Sequence, residues 1–110
     1  MSITTEDFHM AYKYALRPVH PGEVLREDYL VPLDMSVNVL AGHLHVPSSR
    51  MNDIVLERRG ITADTALRLA RFFGGNAQSW MKLQAQYDLR KEEIESAKKI
   101  EREIQPMKAA

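Results

Sequence analysis

Residues 36–56, SVNVLAGHLHVPSSRMNDIVL, decide the fold, because two short segments of helical period within them are separated by a proline. Ser36 is a favourable N-cap for a helix over residues 37–44, since a serine side chain accepts from the free N–H groups of a first helical turn. Val46 and Pro47 end that helix, because the residue before a proline disfavours the helical conformation. The stretch predicts two short helices joined by a tight turn.

The second helix is expected over residues 48–56, with Ser48 or Ser49 as its cap. Six positions carry apolar residues at the spacings that a helix-turn-helix requires: Leu40, Ala41, Leu44, Val46, Met51 and Ile54. The small side chain of Ala41 lets the second helix approach the first. The pair therefore has the layout of a helix-turn-helix, whose second helix enters the DNA major groove.

The rest of the chain is also predicted to be helical, because its apolar residues recur at helical spacing between prolines and glycines. An extra N-terminal helix places Phe8, Tyr12 and Leu16 on one face before Pro18 stops it. Three more helices begin at Pro21, after Thr62 and after Asn76. We expect an all-α protein.

The chain is short enough to form one domain, with 110 residues, 45% of them hydrophobic and 27% charged. We divide it into an N-terminal helical extension (1–17), a helix-turn-helix domain (18–89) and a charged helical tail (90–110). The net charge of zero hides an uneven distribution, with −3 over residues 1–35 and +2 over residues 36–75. The positive segment is a mild indication of a polyanionic partner.

Several classes of protein are excluded by what the sequence lacks. There is no cysteine for a disulfide or a thiolate zinc site, no signal-peptide core and no apolar run long enough for a membrane span. His43 and His45 lie on opposite sides of a helix end, without a third ligand at metal-binding spacing. We expect a cytoplasmic protein that is not an enzyme, binds no metal or cofactor and has no membrane partner.

The outward face of the second helix is the candidate for reading DNA bases. At about 100° per residue, burial of Met51 and Ile54 turns the opposite residues outward. These are Ser49, Asn52, Asp53 and Leu56. Serine and asparagine hydrogen-bond base edges in the major groove, and asparagine pairs well with adenine. Asp53 fits beside DNA only if it accepts from a cytosine amino group or braces an arginine.

Phosphate contacts are expected where backbone N–H groups or arginines are free. The N-terminus of the first helix offers Ser36, Val37 and Asn38. Arginines flank or follow the second helix: Arg50, Arg58 and Arg59. The alternative interpretation is that Ser36 and Ser48 are only caps and that Arg58 and Arg59 form a solvated turn.

An aromatic stripe on the last helix has two interpretations. Trp80, Leu83 and Tyr87 share one face, and such a stripe is more often core than interface. It could instead cover a dimer contact. A single helix-turn-helix binds DNA weakly, and a two-fold dimer places two recognition helices about one DNA turn apart. We therefore expect a homodimer.

Blocks of sequence outside the helix-turn-helix resemble a known family. The blocks are HPGEVL at 20–25, PSSRMNDI at 47–54, RGITADTALRLAR at 59–71, and Trp80, Leu83, Gln84 and Tyr87 to Leu89. In this order they resemble the HigA (VapI-type) antitoxins, which are similar to the Cro and phage-repressor class. The resemblance covers about residues 17–89 and implies a five-helix, lambda-repressor-like domain.

The resemblance implies a homodimer that binds palindromic operator DNA in its own promoter and neutralises a HigB-type toxin, a ribosome-dependent mRNA-cleaving enzyme. The recognition helix of the family maps onto Ser48, Ser49, Asn52 and Asp53, with Pro47 at its start. Its phosphate contacts map onto Ser36, Asn38, Arg50, Arg58 and Arg59. Many relatives have glycine and lysine where this chain has Glu57 and Arg58, a difference that predicts a longer recognition helix.

Two alternatives compete with an antitoxin. One is a stand-alone helix-turn-helix repressor without a toxin. The other is a helical interaction module that no longer reads DNA, an idea motivated by Asp53 and by the zero net charge. The neighbouring gene distinguishes an antitoxin from the first alternative, because a stand-alone repressor has no toxin gene beside it. Sequence-selective DNA binding distinguishes an antitoxin from the second alternative.

Overall fold

The computed structural model describes residues 17–108, which form five helices and no strand. Helix α1 begins with Pro21–Val24 and continues without a break as a π-helical segment, Leu25–Leu30. The other four are α2 (Val37–Leu44), α3 (Ser48–Val55), α4 (Ala63–Phe73) and α5 (Ala77–Glu103). The all-α prediction is confirmed for these residues. The N-terminal helix expected over residues 1–17 lies outside them, apart from Arg17.

Side-chain caps fix where four of the helices begin. His20 Nδ1 accepts from the Gly22 N–H at 2.8 Å and starts α1, while Ser36 Oγ accepts from the Val39 N–H at 3.1 Å and starts α2. Thr62 and Asn76 cap α4 and α5 in the same way. The predicted bounds of α2 and its serine cap are therefore confirmed.

The cap predicted for α3 is wrong. Pro47 occupies the N-cap position with an extended backbone, and its side chain makes no capping hydrogen bond. Ser48 is the first helical residue. Because Pro47 takes the extended backbone conformation of an N-cap, the helix begins one residue earlier than it would with Ser48 as its cap.

The core lies between the helix-turn-helix and the helices on either side of it. Leu25, Leu40, Met51, Ile54 and Leu69 are fully buried. They come from α1, α2, α3 and α4, so one continuous core holds the two short helices in place. The six apolar positions predicted for the helix-turn-helix belong to this core, with Val46 partly buried.

Helix α1 packs directly on the backbone of α3 through Gly22. A Cβ atom at Gly22 would lie 1.8 Å from the carbonyl oxygen of Ile54, so only glycine allows this approach. The contact fixes the position of α3 relative to the rest of the domain.

The end of α3 differs from the expectation of a longer helix. The helix ends at Val55, and Glu57 adopts the left-handed conformation with φ of 63°. Glycine is the residue best suited to this conformation, so Glu57 keeps the turn at a small cost in backbone energy. The expected lengthening is therefore wrong. Helix α5, in contrast, runs unbroken past residue 90, and the domain boundary drawn there stays a prediction.

Candidate nucleic-acid interface

Helix α3 exposes the face expected to read bases. Met51 and Ile54 are fully buried against the core, and Ser49 and Asn52 are exposed on the other side. Leu56, which follows the helix, is also exposed. The face therefore presents one hydroxyl and one carboxamide to solvent on a helix whose position is fixed by its buried side.

Pro47 and Ser48 lie exposed at the start of the same helix. Because Pro47 is the N-cap, Ser48 is not needed as one, and within residues 17–108 its hydroxyl has no hydrogen-bond partner. The interpretation of Ser48 as only a cap is thus wrong. Its hydroxyl is available to a partner at the open end of α3.

Asp53 contacts the two arginines that follow α3. Its Oδ1 accepts from the guanidinium of Arg58 at 2.9 Å, and its Oδ2 lies 3.8 Å from that of Arg59. All three side chains are at least partly exposed. One carboxylate therefore lies beside two guanidinium groups at this end of α3.

Arg50 is tied to the neighbouring helix. Its guanidinium donates to Asp64 Oδ2 at 2.8 Å, and the same oxygen accepts from Arg68 at 2.9 Å. These hydrogen bonds, that of Arg68 first, lower the pKa of the Asp64 carboxyl. The pairs are exposed, so their net contribution to stability is small. Their structural effect is to join the start of α4 to the flank of α3.

The N-terminus of α2 carries the other predicted phosphate contacts. Ser36 is exposed and its Oγ caps the helix, and Asn38 is exposed beside it. The N–H groups of Val37 and Asn38 belong to the first turn, where no intrahelical carbonyl is available. With the helix dipole they form a small region of positive potential that suits an anion.

Two arginines that the sequence analysis missed hold the ends of the helix-turn-helix. Arg68 donates to the carbonyl oxygen of Leu44 at 2.9 Å, at the end of α2, and Arg26 donates to the carbonyl oxygen of Val55 at the end of α3. A guanidinium at a helix C-terminus satisfies free carbonyls and opposes the negative end of the dipole. The four-residue spacing of Asp64 and Arg68 is typical of an ion pair on a helix surface and does not indicate a contact with α2.

The three histidines among residues 17–108 occupy structural positions. His20 is buried, its ring meets Tyr87 edge-on at 4.7 Å, and burial lowers its pKa. His43 stacks on Phe72 with ring centroids 4.7 Å apart, and His45 ends α2 in the left-handed conformation. Among residues 17–108 no group of three or more potential ligands could hold a metal ion.

The aromatic stripe on α5 faces the domain. Trp80 is buried, its ring centroid is 5.4 Å from that of Tyr29, and Leu83 packs against the core. Tyr87 is half-buried beside His20.

In the part of the chain that the structure describes, no helix is both long and apolar enough to cross a membrane.

Comparisons with known proteins place this arrangement in a family. The chain is 59% identical over 80 residues to virulence-associated protein I of Dichelobacter nodosus, covering 73% of this chain and 74% of that protein. It superposes on the Pseudomonas aeruginosa antitoxin HigA, solved with the higBA promoter, with a TM-score of 0.81 and 48% identity over 84% of this chain and all of the other. The chain belongs to the HigA family of antitoxins.

The other comparisons agree with membership of the HigA family. The antitoxin GraA, solved in complex with its operator, matches with a TM-score of 0.80 and 38% identity over 84% of this chain and 94% of that one. No protein-family model matches the chain. HigA relatives are antitoxins and helix-turn-helix transcriptional regulators, which are not enzymes. The lambda-repressor-like fold is confirmed.

Proposed function

We propose that this HigA-family chain is a cytoplasmic antitoxin and autorepressor that binds operator DNA in its own promoter through α3. The observation that carries the proposal is the exposed face of α3, with Ser49 and Asn52 outward and Met51 and Ile54 anchored in the core. The solved structures of HigA with the higBA promoter and of GraA with its operator support it.

Base recognition is assigned to the start and outer face of α3: Pro47, Ser48, Ser49, Asn52 and Asp53. Asn52 is the main determinant, because its carboxamide can donate to N7 and accept from the N6 amino group of one adenine. The serine hydroxyls donate or accept at neighbouring base edges. Asp53 acts on DNA through the arginines that it orients.

Phosphate binding is assigned to two sides of α3. Ser36, Val37 and Asn38 offer the N-terminus of α2, and Arg50, Arg58 and Arg59 offer guanidinium groups. Phosphate contacts position a protein without specifying sequence, so these groups set the affinity and its salt dependence. Binding to DNA should release Arg50 at least partly from Asp64, because their ion pair is exposed and weak.

The functional unit is proposed to be a homodimer on a palindromic site, with a HigB-type toxin as its protein partner. A single motif buries too little surface for high specificity, and two-fold symmetry doubles the contacts. Family membership supports the toxin, which in this proposal is an mRNA-cleaving, ribosome-dependent enzyme. Co-expression with the product of the neighbouring gene and purification through a tag on that product tests the pairing. A complex is expected, and its absence would favour a stand-alone repressor.

The DNA-binding proposal is tested by anisotropy titration of labelled promoter DNA with the Asn52→Ala and Gln78→Ala variants. Loss of a bidentate base contact costs about 1–3 kcal/mol, or about 5- to 150-fold in affinity per site. Gln78 is exposed near the start of α5, so its replacement is the matched control. Equal affinity of the two variants for the promoter would exclude Asn52 as a base contact.

A further inference from the structure

The loop between α3 and α4 is tied to α3 by backbone hydrogen bonds only in its first half. The N–H groups of Glu57 and Arg58 donate to carbonyl oxygens of α3 at 3.0 and 2.8 Å. Within residues 17–108, no backbone carbonyl accepts from the N–H groups of Arg59, Gly60 and Ile61. The second half of the loop therefore depends on side chains for its position.

A side chain of α5 supplies this support. Ile61 is buried and anchors the end of the loop in the core, and its N–H donates to Gln84 Oε1 at 2.7 Å. The carboxamide of Gln84 also packs on the backbone of Gly60, where a Cβ atom would lie 2.8–2.9 Å from three carboxamide atoms. Glycine at position 60 therefore leaves the room that Gln84 needs to reach Ile61.

Asp88 orients the carboxamide of Gln84. One helical turn further along α5, Asp88 Oδ1 accepts from Gln84 Nε2 at 2.9 Å. An ionised carboxylate only accepts, so it holds the amino group on its own side and turns the carboxamide oxygen toward the Ile61 N–H. A rotated carboxamide would place donor against donor at Ile61 and acceptor against acceptor at Asp88. Both hydrogen bonds of Gln84 thus require the same orientation.

The supported backbone lies next to the proposed phosphate contacts. Arg59 directly precedes Gly60, and Arg58 directly precedes Arg59. Both guanidinium groups are exposed, and their contacts with Asp53 are surface ion pairs, which hold side chains weakly. Where these two cations lie therefore depends on the loop backbone, and Gln84 fixes that backbone at the α4 end.

We propose that Gln84, oriented by Asp88, is a positioning residue for DNA binding, which holds the loop so that Arg58 and Arg59 meet the DNA backbone. The inference rests on the proposed function, because it concerns phosphate contacts assigned there. Groups that are already held in place lose less freedom on binding. Since phosphate contacts carry no sequence information, Gln84 raises the affinity for every DNA sequence and leaves selectivity to α3.

Anisotropy titration of labelled promoter DNA with Gln84→Met tests this role, because methionine keeps the length of the side chain and removes both hydrogen bonds. The affinity should fall about 3- to 10-fold. The slope of log affinity against log salt concentration should become shallower by about one. Gln78→Met is the matched control, since Gln78 is exposed near the start of α5. Stoichiometric titration at high DNA concentration gives the active fraction of each variant, so unfolded protein cannot mimic weaker binding.

Two combined variants distinguish positioning from a loss of stability. In a background with Arg58→Ala and Arg59→Ala, Gln84→Met should have no further effect on affinity, because the groups that it positions are gone. The exchanged pair, Gln84→Glu with Asp88→Asn, keeps both hydrogen bonds. A carboxylate at position 84 accepts from the Ile61 N–H, and an amide at position 88 donates to that carboxylate. Its affinity should return to within about twofold of the wild type.

The results separate this role from the proposed function. Unchanged affinity and salt slope in Gln84→Met would overturn the role of Gln84. An equal loss in the background without Arg58 and Arg59, or no recovery in the exchanged pair, would overturn it as well. In each of these cases the DNA-binding proposal stands if the wild type selects its promoter and Asn52→Ala weakens binding. A wild type that binds promoter and scrambled fragments equally would overturn the proposed function, and the role of Gln84 with it.

Discussion

Replacement of Gly22 by alanine is expected to be the most damaging single-methyl change in the domain. The added Cβ would lie 1.8 Å from the carbonyl oxygen of Ile54 and 2.8 Å from its carbonyl carbon. A relaxed carbon–oxygen contact is about 3.3 Å, so α1 and α3 must separate by about 1.5 Å. The obstacle is backbone, which cannot rotate away as a side chain can.

The expected cost follows from the packing of the same region. Overpacking a core costs about 1–3 kcal/mol and occasionally more, and a clash with backbone belongs at the upper end. We expect Gly22→Ala to lower the free energy of unfolding by about 3 kcal/mol, which corresponds to a fall in Tm of about 12–24 °C for a domain of this size. Such a loss is a large part of the total stability of a small domain.

Gly42→Ala is the matched control for this change. Gly42 lies within α2, and a Cβ there would meet no atom within 4 Å. Alanine is favoured over glycine inside a helix by about 0.5–1 kcal/mol, so this variant should be more stable than the wild type. Urea unfolding followed by circular dichroism measures both. A Gly22→Ala variant within about 0.5 kcal/mol of the wild type would refute the close packing of α1 on α3.

Three further changes test other contacts. Burial lowers the pKa of His20 and its neutral Nδ1 accepts from a backbone N–H, so below pH about 6.5 the unfolded chain binds more protons. The free energy of unfolding should fall as pH drops from about 7.5 to 5.5, by at most about 1.4 kcal/mol per unit. In His20→Asn that slope should be shallower, and an unchanged slope would contradict this role. Asp53→Asn frees Arg58 and Arg59, so the affinity for scrambled DNA should rise and its salt dependence should become steeper in a titration. A lower affinity for scrambled DNA would argue against the role of Asp53 in holding these arginines. Arg68→Ala removes the donor to the Leu44 carbonyl and should cost about 1–2 kcal/mol in urea unfolding, against little change for Lys82→Ala. Equal stability of these two variants would deny Arg68 that role.

The local parts of the fold were predictable from sequence because their causes are local. The bounds of α2 follow from Ser36 and from the proline after Val46, and α4 follows from Thr62 in the same way. The buried side of α3 follows from the three-residue spacing of Met51 and Ile54. Each of these depends on neighbours within one helical turn.

The start and the end of α3 were harder, because neighbouring residues compete for the same role. Ser48 and Pro47 can both begin a helix, and the extended conformation of Pro47 decides between them. Glu57 takes a left-handed conformation that a non-glycine residue adopts only when the surroundings impose it. A guanidinium from α1, that of Arg26, reaches both the Val55 carbonyl and the Glu57 carboxylate there.

Long-range contacts could not be predicted from the spacing of residues. Arg26 and Arg68 lie 29 and 24 positions from the carbonyls to which they donate, and no sequence pattern connects such partners. Leu67 lies among the apolar residues of α4 in the sequence, yet its side chain is exposed. Whether an apolar residue is buried or forms an interface depends on what packs over it, which periodicity alone does not show.

Titration of the purified protein against its own upstream promoter fragment and a scrambled fragment of equal length tests whether α3 recognises a DNA sequence. At about 0.15 M salt, non-specific electrostatic binding is weak enough for selectivity to show. We expect saturable binding to the promoter fragment at protein concentrations that leave the scrambled fragment free. Equal retention of both fragments would contradict sequence recognition by α3 and would favour a protein-only role for this HigA-family chain.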